Sequence, residues 1–169
     1  MITRREALAV ALAGIAARPA SARAADRGPL SALVAYQQEV VFGYEVTLRK
    51  APLGDRDRGS LEHLRGDAEQ AAAALRKTLV AEGGKPSAPP DPATAPPPAD
   101  PNLPGYLRDV IRAEEAAVAG YYTALQAMTD ERHLRGSAAF MAQAGRRLVV
   151  LRKLAGEPLL PRAFETGVA

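Results

Sequence analysis

One stretch governs what this chain can fold into. Residues 85–104 read KPSAPPDPATAPPPADPNLP and hold most of the chain's 14 prolines. Proline lacks a backbone donor and its ring clashes with the preceding turn, so this stretch is excluded from helix. Extended at roughly 3.1 Å per residue, about twenty residues reach roughly 60 Å. A helix of about twenty residues spans roughly 30 Å. The stretch can therefore run the length of a helical bundle and carry the chain back to the end where the bundle began. A flexible linker between two halves is the alternative.

The flanks supply four amphipathic segments. Leu30, Leu33, Val34, Val40, Val41, Tyr44 and Leu48 recur by threes and fours and predict a first helix over about 30–50. Pro52, Gly54 and Gly59 break it. Ser60 is the expected N-cap of a second helix, with Leu61, Leu64, Ala68, Ala71, Leu75 and Leu79 on one face and Gly83-Gly84 at its end. A third helix is predicted from Pro104 or Gly105 to Met128, with Leu107, Val110, Ile111, Ala117, Val118, Tyr121 and Leu125 inward. A fourth runs over about 130–154, with Leu134, Phe140, Met141, Ala144, Leu148 and Leu151 inward and Gly156 and Pro158 beyond it. Leu159, Leu160 and Phe164 are expected to fold the tail back onto the bundle.

The two halves resemble one another. QQEVVFGYEVTL (37–48) and EEAAVAGYYTAL (114–125) align at an offset of 77, matching Val41 to Val118, Gly43 to Gly120, Tyr44 to Tyr121 and Leu48 to Leu125. Leu75-Arg76-Lys77 recurs as Leu151-Arg152-Lys153 at an offset of 76. Two matches in the same order at nearly one offset point to a duplicated helical hairpin.

The amino terminus reads as an address. Arg4-Arg5, an apolar run from Ala7 to Ala17 and Ala22-Arg23-Ala24 form a basic front, a short apolar core and an A-x-A-like cleavage site. Thr3 before the arginine pair and Leu8 after it resemble a twin-arginine export signal. The run is too short and too weakly apolar to span a membrane. The expected division is a signal over 1–24, cleaved near Ala24, and a bundle over 29–167 containing a Pro-rich crossover at 83–104. The expected destination is the periplasmic or extracellular cell envelope.

Charge narrows the partners. The first 24 residues hold four Arg and one acid, and the remainder carries 18 bases and 18 acids. No basic stripe interleaved with aromatics accompanies that balance, so nucleic-acid binding loses its main electrostatic support. With no Cys in the chain there is no disulfide, thiolate nucleophile or Cys-held metal.

Two hairpins joined by a long crossover resemble the ferritin-like superfamily, and in particular exported bacterial ferritin-like domain proteins. EEAAVAGYYTAL, LVVLRKLAGEPLLPRAFETG and ALRKTLVAEGGKP carry the resemblance, which covers roughly residues 30–167. It implies an all-α four-helix bundle. It also implies a di-iron site built from one Glu on each of two helices and Glu-x-x-His on each of the other two. Most of those ligands are absent. Glu114 stands where the third helix would supply its glutamate, but the first helix has Gln37 there. The second helix places Ala68 and Ala71 at its ligand positions, and the fourth places Ala144 and Arg147.

A Glu114 buried without metals needs another counter-charge. The Arg147 guanidinium is expected to supply it, with Gln37, Tyr44 and Tyr121 completing a polar network. The alternative is Arg147 in solvent beside Arg146. A rearranged site for iron or manganese on Glu39, His63 and Glu114 is the competing metal reading. No glycine-rich phosphate loop or nucleophile elbow is present. The expectation is a non-catalytic module with no cofactor and an unidentified partner, a second copy of the chain among the candidates. The alternative is a metal-binding or oxidoreductase protein.

Overall fold

The computed structural model describes residues 20–159, with side chains from Ala25 onward. Four helices follow in order: α1 (Ala20–Lys50), α2 (Asp55–Ala81), α3 (Leu103–Ala127) and α4 (Glu131–Ala155). The described residues contain no strand. Among them, no helix is long and apolar enough to cross a membrane. The proposed signal falls mainly on residues 1–19, outside the described residues, as do Leu160 and Phe164.

The helix ends have local causes. Gly54 precedes α2 in an extended conformation, and Asp55 and Asp57 place negative charge in the first turn, where the helix dipole favours it. Asn102 caps α3, its Oδ1 accepting from the Gly105 N–H at 2.9 Å. Asp130 caps α4 through the Arg132 N–H at 2.6 Å. Gly156, at φ 70°, closes α4 in the left-handed conformation that suits glycine.

Four sequence expectations are corrected. Helix α1 begins at Ala20 rather than Leu30 and contains Pro29, which forgoes one backbone bond. Helix α2 begins five residues before Ser60, whose hydroxyl donates to the Arg56 carbonyl at 3.0 Å instead of capping. Gly59 has open space around it and lies within that helix rather than breaking it. Leu159 does not fold inward; it is 46% exposed.

Helices α1 and α3 run antiparallel: Tyr36 lies against Gly120, Gly43 against Val110 and Asp26 against Thr129. Helix α1 also packs along α2, and α3 along α4, whereas α2 and α4 touch only lightly. The core between them is Leu30, Leu33, Val34, Val40, Leu61, Leu75, Leu79, Leu107, Val110 and Leu151, all nearly inaccessible. Val41, Val118, Leu134, Phe140 and Met141 are half-buried at its margin.

The Pro-rich stretch is strapped to α1. Ser87 and the Gln38 amide exchange hydrogen bonds, Nε2 donating to the Ser87 carbonyl at 3.0 Å and the Ser87 hydroxyl to Oε1 at 2.8 Å. Lys50, at the far end of α1, donates to the Ala95 carbonyl at 2.6 Å. The chain thus travels from the end of α2, which already lies beside Arg27 near the start of α1, to the far end of the bundle beside Lys50. Two antiparallel helices bring it back to the starting end, so the crossover carries it away from that end rather than back to it. It makes one 3-10 turn, at Pro92–Thr94.

Candidate functional site

Four helices bring polar or small side chains to the middle of the core. Gln37 (α1), Ala68 and Ala71 (α2), Glu114 (α3), and Ala144 and Arg147 (α4) are all buried, none more than 2% exposed. Tyr44 and Tyr121 join them, both fully inaccessible. An ionised carboxylate and a guanidinium in such surroundings are costly unless paired.

They are paired. Arg147 Nε donates to Glu114 Oε1 at 2.5 Å, and Nη2 donates to Oε2 at 2.9 Å. This two-pronged geometry matches the planar fork of arginine to the carboxylate. The Tyr44 hydroxyl donates to Oε1 at 3.0 Å. Glu114 therefore accepts three hydrogen bonds, which uses most of its acceptor capacity.

Gln37 and Tyr121 sit beside this pair without completing it. Neither amide atom of Gln37, nor the Tyr121 hydroxyl, nor Arg147 Nη1 makes a hydrogen bond of standard geometry. Gln37 nonetheless faces the Tyr121 hydroxyl closely enough to ease its ionisation. The expected network is thus tight on the Glu114 side and loose on the Gln37 side. The physical reason lies in α2: its residue in the register of Arg147 is Ala71, which offers Gln37 no charged partner.

The electrostatics follow from burial and pairing. Burial alone would lower the Arg147 pKa, but hydrogen bonding and attraction from Glu114 outweigh it and raise the value. Burial and the neighbouring Glu114 charge push the Tyr44 hydroxyl far above its ordinary range, with Arg147 pulling the other way. Tyr121 is also raised, chiefly by burial. Both phenols stay protonated, so neither is poised as a nucleophile or base.

The competing metal set is not brought together. Glu39 and His63 are exposed while Glu114 is fully buried. Among the described residues, no group of three His, Asp or Glu side chains is placed to hold a metal ion. The di-iron arrangement does not fit the central positions either. Three of them are alanine, one is an amide, and a permanent cation fills the fourth helix's contribution. Glu115 is exposed and pairs with Arg152 outside the core.

A second polar junction escaped the sequence reading. Asp26, fully buried near the start of α1, accepts from the Thr129 N–H at 2.9 Å and the Asp130 N–H at 3.1 Å. It also contacts His133 Nδ1 at 2.8 Å, and the other ring nitrogen lies 3.5 Å from Glu82. This junction ties α1, the end of α2 and the start of α4 together. Sequence offered no signal for it, because its partners lie more than a hundred residues apart.

No known family model matches the chain, and no curated protein matches its sequence.

Proposed function

We propose that this chain is an exported, ferritin-like four-helix bundle that serves as a non-catalytic binding or structural module of the cell envelope. In this reading its centre has exchanged the metals of a di-iron protein for an internal ion pair. The observation that carries it is the two-pronged Arg147–Glu114 contact, made at positions where the resemblance would put a metal ligand on each helix.

The pairing pattern supports the duplicated hairpin. Shifting Tyr44 and Gln37 by 77 residues gives Tyr121 and Glu114. Tyr44 reaches Glu114, and Tyr121 faces Gln37, so exchanging the two halves maps one contact onto the other. The crossover's path along α1 gives the connection required by two hairpins whose first helices, α1 and α3, run antiparallel. The arginine pair and small-residue stretch before Ala25 support export, with cleavage near Ala24.

The test is metal content. Protein purified from cells grown with iron and manganese is expected to carry neither in stoichiometric amount. Stoichiometric metal that disappears with Glu114→Ala would overturn the proposal in favour of a metal-binding protein.

A further inference from the structure

The balanced total of charge outside the first 24 residues conceals a segregated one. Helix α4 carries six bases (Arg132, Arg135, Arg146, Arg147, Arg152, Lys153) and one acid, Glu131. Helix α2, the other outer helix, carries five of each. Arg147 is spent on Glu114 inside, and Arg152 pairs with Glu115. The other four bases all face solvent.

Their spacing makes a surface. Arg132, Arg135, Ala139, Ala142, Arg146 and Lys153 recur by threes, fours and sevens, which places them along one side of the helix. Each is exposed, and the stripe lies opposite the buried Ala144, Leu148 and Leu151. It extends about 30 Å at 1.5 Å per residue. Val149 and Val150 beside it are 40% and 38% exposed, which adds apolar area among the cations. The opposing charges are few. Glu131 pairs with Arg135 at 3.3 Å at one end, and Asp67 of α2 shares the shallow cleft that Arg146 borders.

We propose that this outward face of α4 is a docking surface for an anionic phospholipid bilayer. A plane of headgroups presents negative charge everywhere, so it meets all four cations without matching their individual spacing. The alanines between them keep the stripe low in relief, and the valines can enter the headgroup layer, as apolar residues do in interfacial helices. Basic residues near an anionic leaflet each add to the attraction. A folded acidic protein would need carboxylates at the same intervals. Nucleic acid would find no aromatic side chain on the stripe for its bases to stack upon.

The experiment is sedimentation of the full chain with phosphatidylcholine vesicles and with vesicles also containing phosphatidylglycerol. The comparison is with a variant carrying Arg135→Glu, Arg146→Glu and Lys153→Glu together. A matched control carries Arg56→Glu, Arg76→Glu and Lys77→Glu on α2, and circular dichroism verifies that both remain folded. Residues 1–24 are present in every sample, so differences between variants report on the helices alone. The expected result is binding that requires phosphatidylglycerol, weakens with salt, falls at least tenfold in the α4 variant and is little changed in the α2 control. Equal binding by the α4 variant, or equal loss in the control, would overturn the proposal. So would absence of vesicle binding, including the case where the stripe instead retains an acidic protein, a nucleic acid or a second copy of the chain.

Discussion

Arg147 holds both carboxylate oxygens of Glu114 across the interface between α3 and α4, with neither side chain more than 2% exposed to water. Tyr44 and Tyr121 flank the pair inside the core, and on its outer side Arg147 borders a cleft that His63, Asp67 and Arg146 also line. This ion pair sits at the centre of the core, and a second buried contact, Asp26 with His133, sits where the helix ends meet.

The two tyrosines at the centre respond differently to loss of the hydroxyl. Tyr44 donates to Glu114, so Tyr44→Phe is expected to cost about 1–2 kcal/mol. The Tyr121 hydroxyl has no standard partner, so Tyr121→Phe is expected to change stability by less than about 0.5 kcal/mol. Urea unfolding of the two variants, side by side, measures the contrast.

The same phenols set an alkaline limit. Their folded pKa values lie above the ordinary 10.0, so the unfolded chain releases these protons first. Their contribution is fully present below about pH 10 and is lost as pH rises beyond it. Stability measured across that range is expected to fall less steeply in Tyr44→Phe than in the wild type.

Asp26 governs the acid limb. Burial pushes its carboxyl up, but hydrogen bonds from Thr129 and His133, and the charge of His133, reverse this and leave it below its ordinary 3.8. A depressed folded pKa gives stability that is present above about pH 3.8 and lost as pH falls through the folded value. Asp26→Asn is expected to destabilise the protein at neutral pH and to flatten this acid-induced loss. An unchanged pH profile in thermal melts of the variant would remove Asp26 from that role.

The helical stripes were legible because burial follows periodicity. Leu61, Leu64, Ala68, Ala71, Leu75 and Leu79, all chosen from spacing, are buried in α2. The beginnings of α1 and α2 were not legible. Gly59 reads as a breaker, yet a glycine costs a helix only about 1 kcal/mol and packing readily offsets it. Glu114 and Arg147 were locatable because helical register fixes which residues face inward. The looseness at Gln37 was not, since it depends on what α2 fails to provide at Ala71. The Asp26 junction depends on three helix ends meeting, which no local pattern encodes.

Two glycines separate close packing from mere helix weakness. A Cβ on Gly105 would come within 1.8 Å of the Asp100 backbone carbonyl oxygen, which cannot swing aside as a flexible side chain could. Gly105→Ala is therefore expected to destabilise the start of α3 and loosen the crossover against it. On Gly43 the nearest atom would be a Val110 methyl at 3.5 Å, an ordinary contact. Gly43→Ala is expected to be neutral or to stabilise by up to about 1 kcal/mol through helix propensity. Thermal denaturation of both variants checks the difference in sign.

The most direct measurement on the core is a double-mutant cycle between Glu114 and Arg147, read by urea unfolding. Removing either partner leaves the other charge buried alone. Arg147→Met and Glu114→Gln are therefore each expected to cost about 3–5 kcal/mol. The double variant is expected to cost far less than their sum, a coupling of about 2 kcal/mol or more. Single substitutions costing under about 1 kcal/mol, or costs that simply add, would contradict an internal ion pair as the organising charge of this bundle.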